Sequence, residues 1–230
     1  WPMLTEPNDW SNEKLGGYYY NALMKGHELT RRGKSTLTHG ELPLKFLNKL
    51  QKVRYRVNNH VLNVAHYCKD KEIKVDKFIP IVPAYKPPPP PDIETNKEAH
   101  KKWKKETRNA HNADCLNFKR SVRTRAQLET AEKFKEDVFY LCWSFDYRGR
   151  AYPIQAFLTP QDTDFGKALI RFADESPVTQ DAEDWLAIQV ATTYGLDKAT
   201  MDERIAWSLD NHELITIIAT DPTGSIPKWE

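Results

Sequence analysis

The sequence predicts a mainly α-helical chain with a small β element, and three observations carry that reading. Apolar residues recur at steps of three and four between Glu41 and Cys68, the stretch from Thr95 to Glu136 is almost free of glycine and proline, and the run Val138 to Phe145 is aromatic and β-branched. Joined through a proline-rich connector, the first two predict a long antiparallel helical hairpin. With 230 residues and 40% hydrophobic content, the chain can fill the core of one large domain or two small ones.

Residues 1–40 carry turn signals at Pro2, Pro7, Gly16, Gly17, Gly33 and Gly40 and little periodicity, so they read as extended packing segment and loop. Residues 41–136 form the hairpin. Its first arm is a single amphipathic helix whose apolar stripe is Leu44, Leu47, Leu50, Val53, Val57, Val61, Val64 and Cys68, with Pro43 tolerated in the first turn. The other face of that helix carries Lys45, Lys49, Lys52, Arg56 and Asn59, and can be either a solvated face or a nucleic-acid face. Seven prolines between Pro80 and Pro91, five of them consecutive from Pro87, require an extended and stiff connector over 80–91. The second arm is one or two helices totalling up to about 60 Å. On it, Lys119, Arg120 and Arg123 share one face with Arg125 and Gln127 beside them, a grouping suited to bidentate contact with phosphate oxygens.

Residues 137–162 change texture. Val138 to Phe145 reads as a buried strand, Asp146-Tyr147-Arg148-Gly149 as a tight turn closed by the aspartate carboxylate, and Arg150 to Leu158 as a returning strand with Pro153 at an edge or bulge. Residues 163–230 read as helices. One is capped by Thr163 or Asp164 and carries Phe165, Leu169 and Phe172; one runs from Ala182 to a stop at Gly195; a third opens on a capping box of Thr200 and Glu203. After Gly224 and Pro227 no closing element is evident.

The net charge of +2 conceals an asymmetry. Residues 1–135 hold 27 Lys and Arg against 15 Asp and Glu, a net +12, whereas residues 136–230 hold 7 against 17, a net −10. A basic half of this kind suits a polyanionic partner. Three cysteines at Cys68, Cys115 and Cys142 fit neither a disulfide framework nor zinc-knuckle spacing and point to a reducing, intracellular setting; a zinc site assembled from His66, Cys68, His111 and Cys115 is the alternative. No apolar run approaches the length of a membrane span and no leader is recognisable, which predicts a soluble chain. The acids Asp162, Asp164, Asp181 and Asp184 are expected at helix N-termini rather than as a magnesium pair.

The segment Ser144 to Pro153 places two arginines, Arg148 and Arg150, either side of Gly149 in a turn that ends a buried strand. Two guanidinium groups and bare backbone N–H donors on one rigid edge make a good phosphate site. This Asp-x-x-Gly-Arg motif resembles the one that opens the palm of single-subunit RNA polymerases of the phage and mitochondrial kind. Its surroundings are similar too: Pro2-Met3-Leu4 with Pro7, Trp10 and Gly16-Gly17-Tyr18 upstream, then Leu50-Gln51, Tyr55-Arg56-Val57-Asn58 and Val61-Leu62. Downstream, the resemblance continues through Leu158-Thr159-Pro160-Gln161, Ala168-Leu169, Trp185 to Ile188 and Gly195 to Lys198.

The resemblance implies an internal part of such a polymerase: a pre-thumb segment, a thumb formed by the helical hairpin, the start of a right-hand palm at 137–162 and a palm-associated helical region. It implies phosphate contacts from Arg148 and Arg150, a structuring role for Asp146 and Gly149, packing of Tyr152 on a template base or sugar, and a hybrid-facing role for Arg120, Arg123 and Arg125. The partners implied are a DNA template and an RNA transcript, with nucleoside triphosphates in the whole enzyme, which is expected to act as a monomer without a membrane. The family's catalytic aspartates lie C-terminal to the matched region, so Mg2+ is expected on ligands outside this chain, with no catalytic or metal-binding residue within it and no nucleotide addition by it alone. A phage enzyme would work in the host cytoplasm and an organellar one in the organelle matrix. A stand-alone helical nucleic-acid-binding module is the alternative reading.

Overall fold

The computed structural model describes residues 1–19, 30–31, 38–75, 78–81 and 85–226. Gly33, Pro83 and Pro227, read above as turn or connector signals, lie outside the described residues. The chain divides into two compact units, Trp1–Ala173 and Asp174–Glu230.

In the first unit, a two-residue strand β1 (Thr30–Arg31) precedes α1 (Glu41–Gln51), β2 (Arg54–Val57) and α2 (Asn59–Asp70). The single helix predicted over 41–68 is therefore two helices with a strand between them. Val53 to Val57 satisfies a period of two as well as it satisfies a helical one. The strand wins because β2 is the central member of a sheet ordered β3-β2-β6, with hydrogen-bonded neighbours on both edges. β3 is Phe139–Tyr140 and β6 is Ile170–Phe172. Tyr55 and Val57 point into the core while Arg54 and Arg56 stay exposed, the alternation of a half-buried strand. Asn58 then restarts the helix, its side chain accepting from Val61 N.

α3 (Lys97–Phe134) is one helix of 38 residues, about 57 Å long, capped by Asn96, whose side chain accepts from the N–H groups of Glu98 and Ala99. Its fully buried positions begin only at Ser121 and continue through Thr124, Leu128, Ala131 and Phe134 at helical spacing. Against this end α2 runs antiparallel: Asn59 donates to Lys135 O (3.3 Å) and His66 pairs with Glu132 (3.3 Å). The other half of α3 has no helical partner among the described residues. There Trp103 Nε1 donates to the carbonyl of Pro87 (2.9 Å), so the proline-rich connector returns along it. The hairpin thus has unequal arms, 12 and 38 residues, instead of two long ones, because β2 removes the first half of the shorter arm.

The run predicted as one strand over 138–145 serves two sheets. β3 pairs with β2, and β4 (Trp143–Asp146) pairs with β1 in parallel and with β5 (Ala151–Pro153) antiparallel. The switch falls at Leu141-Cys142, both fully buried. The returning strand ends at Pro153, on the edge of its sheet. The helix predicted through Phe172 stops after five residues as α4 (Asp164–Ala168), because Ile170 to Phe172 leaves it to pair with β2.

β4 is fixed from behind by a buried polar network. The Gln51 amide oxygen accepts from Trp10 Nε1 (3.1 Å) and Trp143 N (3.2 Å), its amide nitrogen donates to Asn8 O (2.9 Å), and Trp10 Nε1 also donates to Trp143 O (2.9 Å). Every polar atom of the fully buried Gln51 side chain is paired, as burial requires. Gly16 lets the chain close on this tryptophan, since a Cβ there would stand 2.6 Å from the Trp10 ring.

The second unit contains α5 (Gln180–Tyr194), α6 (Met201–Asp210) and α7 (His212–Thr220). Gly195 closes α5 at φ 122°, and Thr200 with Glu203 forms a capping box for α6. Tyr194 stacks on Trp207 at 4.4 Å, and Ser208 Oγ donates to Ala187 O (2.7 Å). α7, which follows Asn211, is an element the sequence reading leaves out, and it buries none of its residues.

Candidate nucleic-acid interface

Asp146 ends β4 and organises the turn to β5. One carboxylate oxygen accepts from the backbone N–H groups of Arg148 and Arg150, both at 2.9 Å, and the other accepts from Arg148 Nε at 3.0 Å. Gly149 N donates to Asp146 O at 3.0 Å, and Gly149 sits at φ 78° with open space where a Cβ would be. Burial at the turn pushes the Asp146 carboxyl up, but the hydrogen bonds from Arg150 and Arg148 together outweigh it and hold the group below the usual carboxylate range.

The bare N–H donors expected on this turn are not bare. Those of Arg148, Gly149 and Arg150 are all taken by Asp146, because a carboxylate at the first turn position closes the loop on itself. What the turn offers to a ligand is its side chains. Arg148 is held by Asp146 and lies over the Tyr147 ring at 5.3 Å. Asp146 first, and Tyr152 to a smaller degree, raise the Arg148 pKa. The Arg150 side chain is exposed and makes no hydrogen bond, ion pair or ring contact among the described residues. Tyr152 is half-buried opposite Ser144 on the β4–β5 ladder.

The chain then turns at Leu158, which is fully buried and adopts φ 55°, a conformation unusual for a branched residue. This turn carries Gln161 Nε2 to Ala151 O (2.9 Å) and Asp162 to α3. Arg123 donates through Nε to Asp162 Oδ1 at 3.1 Å and makes a second bond through Nη2. The Asp162 side chain is fully buried, whereas that of Arg123 is 51% exposed and lies over Phe157. Asp162 Oδ1 also accepts from Thr163 N (2.7 Å), and its other oxygen has no hydrogen-bond partner among the described residues. Gly166 leaves room for this carboxylate, which would collide with any Cβ there. Asp162 is thus the partner of Arg123 rather than a free helix-end acid.

Arg125 pairs loosely with Glu129 (3.9 Å) and lies over Phe118. Arg120 is exposed and unpaired among the described residues. Of the residues read from sequence, Asp146, Arg148, Gly149, Arg150 and Tyr152 share one hairpin, and Arg123 reaches it through the 157–162 segment. Among the described residues, no hydrogen bond or ion pair joins Arg120 or Arg125 to that hairpin. Asp162 and Gln161 were not read as site residues, and their contacts span 39 and 10 positions with no local motif to announce them.

His111 and Cys115 stand 3.6 Å apart on α3, Cys68 is buried and His66 is paired with Glu132. Among the described residues no three His, Cys, Asp or Glu side chains gather in a metal-binding group. No helix among them is long and apolar enough to cross a membrane.

Residues 176–230 match a family model described as DNA-dependent RNA polymerase. Over 96% of its length the chain is 29% identical to the T7 RNA polymerase of Escherichia phage T7, and over 97% it is 30% identical to the DNA-directed RNA polymerase of Enterobacteria phage T3; it spans 26% of each. It is also 27% identical, over 99% of its length, to the mitochondrial DNA-directed RNA polymerase of Neurospora crassa, of which it spans 17%. The chain is thus similar, over nearly all of its own length, to part of the DNA-directed RNA polymerases of phages and organelles.

Proposed function

We propose that this chain works as part of a template-directed RNA polymerase, in which it grips the RNA–DNA hybrid and the template by their backbones. In this reading α2, α3 and the proline-rich connector form the thumb, residues 137–162 open the palm, and the helices beyond it are associated with the palm. The observation that carries it is the turn at Asp146. Its backbone donors are consumed internally and Arg148 is locked, which leaves Arg150, on a turn whose backbone is fixed by Asp146, with a guanidinium that makes no ion pair among the described residues. A guanidinium can match two oxygens of one phosphate in a bidentate contact. Arg120, Arg125 and the exposed part of Arg123 extend the basic surface along α3, and Tyr152 supplies a face for a base or sugar. Nucleotide addition itself, with Mg2+ and nucleoside triphosphates, belongs to the whole enzyme and to residues outside this chain.

The test is binding of the chain to an RNA–DNA hybrid as a function of salt. If four to six phosphates are neutralised, log affinity against log salt falls with a slope of about −3 to −5, independent of sequence. A flat dependence rules the reading out.

A further inference from the structure

Cys68 and Cys142 are buried, whereas Cys115 is exposed. A buried free cysteine behaves as a small apolar side chain, which accounts for the first two and not for the third. Cys115 lies near the middle of α3, and one turn before it stands His111, also exposed. Cys115 Sγ and His111 Nε2 are 3.6 Å apart, and neither residue makes another hydrogen bond or ion pair among the described residues.

Side chains four positions apart share one face of a helix, the spacing at which an H-E-x-x-H helix presents two histidines to one zinc ion. The separation also has the right size. With a metal–sulfur bond of about 2.3 Å, a metal–nitrogen bond of about 2.0 to 2.1 Å and tetrahedral geometry, the sulfur and the nitrogen lie about 3.6 Å apart. The observed distance therefore fits one edge of a zinc tetrahedron. Because α3 is unbroken here, its backbone holds the two residues one turn apart before any ion arrives. Both side chains are exposed, so the remaining coordination positions open to water.

We propose that His111 and Cys115 form a two-ligand site for a borderline-soft divalent metal ion, Zn2+ above all, with water completing the coordination. The donor set selects the ion: thiolate with imidazole suits Zn2+, whereas Mg2+ and Ca2+ take oxygen ligands. On binding, neutral His111 contributes its Nε2 lone pair and keeps its proton on Nδ1. The sulfur–metal bond forms as the Cys115 thiol proton leaves to solvent, and neither the metal nor the sulfur changes oxidation state. Two protein ligands in place of four make the site weaker than a closed structural one. Arg108, three residues before His111, and Lys119, four after Cys115, repel a dication and weaken it further. An affinity of about 1 to 100 µM follows. The bound ion ties two successive turns of α3 together, and the site stands apart from the phosphate contacts assigned above.

The experiment follows iodoacetamide labelling of Cys115 by mass spectrometry across a Zn2+ titration, in the wild-type chain and in His111→Gln. Both side chains are exposed, and circular dichroism verifies that helicity is retained. At about 1 mM Zn2+, at least about ten times the dissociation constant, labelling of the wild type is expected to slow by at least about tenfold. A chelator restores the rate, and Mg2+ in place of Zn2+ leaves it unslowed. His111→Gln, with one ligand lost, should need at least about tenfold more Zn2+ for the same protection. Co2+ in place of Zn2+ should give a sulfur-to-cobalt charge-transfer band that Cys115→Ser abolishes. Unslowed labelling at about 1 mM Zn2+ overturns the proposal and leaves the contact a thiol–imidazole hydrogen bond. Equal protection of the wild type and His111→Gln also overturns it, since the thiol would then bind metal without the histidine.

Discussion

Removing Arg123 is expected to destabilise the first unit far more than removing its partner. The pair is asymmetric: the Asp162 side chain is fully buried and the Arg123 side chain is 51% exposed. In Arg123→Ala the carboxylate stays behind in its pocket against Gly166 with one remaining donor, Thr163 N, and an oxygen that already has none. Stranding a buried carboxylate costs about 3 to 5 kcal/mol when its partner is also buried, and an exposed pair is worth about 0 to 1. With one partner half-exposed, about 2 to 4 kcal/mol is expected. In Asp162→Ala the guanidinium turns to water, so only its hydrogen bonds and a little packing are lost, about 1 kcal/mol. The double variant should therefore be more stable than Arg123→Ala alone, a coupling that only a stranded charge produces. The assay is urea unfolding followed by hydrogen exchange of residues 121–134, which keeps the second unit out of the signal. If Asp162→Ala costs as much as Arg123→Ala, or the double variant is the least stable of the three, the stranded-charge reasoning is refuted.

Other outcomes follow from the turn and the thiols. Gly149→Ala, checked by thermal melting, should cost about 1 to 2 kcal/mol through its left-handed φ alone, since a methyl group there meets nothing, and Gly149→Asn should cost less. Asp146 has a folded pKa below its unfolded one, so its contribution to the turn is complete above the unfolded value of about 4 and is lost as pH falls through the lower folded value. An acid titration of turn order by NMR should show that loss, and Asp146→Asn should abolish the dependence. Burial pushes the Cys142 thiol up to about 12, and Cys68 is also buried, whereas Cys115 is exposed. Iodoacetamide should label Cys115 first, with Cys142 slower than a free thiol by on the order of a thousandfold; early labelling at Cys142 would contradict its packing.

Much of the fold was legible in the sequence where local chemistry decides it. The Asn96-to-Phe134 helix, the Gly195 stop, the Thr200 capping box and the Asp146 turn each follow from propensity, caps and turn residues acting within a few positions. What misled was apolar patterning that fits two periods. Val53 to Val57 and Leu169 to Phe172 each continue a helical stripe, and both became strands because they find each other across more than 110 residues. The run from Val138 looked like one strand because burial on both sides hides a change of sheet at Leu141-Cys142. α7 went unread: Leu214, Ile215, Ile217 and Ile218 form a short apolar run after Asn211, with no side-chain cap to mark it.

The site was legible in its residue types but not in its partners. Arg148 and Arg150 stand out by position, yet only the hydrogen bonds show that Asp146 consumes the backbone donors and immobilises one arginine, leaving the other available. Arg123 reads from sequence as one more hybrid-facing cation, and its tie to Asp162, 39 residues away, has no local signature.

The most direct measurement is the affinity of Arg150→Ala for an RNA–DNA hybrid beside that of the wild-type chain, with thermal melting of both. The expected result is a loss of about 10- to 100-fold, the scale of a hydrogen bond to a charged group, with the melting temperature unchanged because the side chain is exposed and makes no hydrogen bond or ion pair among the described residues. An Arg150→Ala chain that melts early yet binds the hybrid as tightly as wild type would make the arginine a structural residue and contradict the grip assigned to this turn.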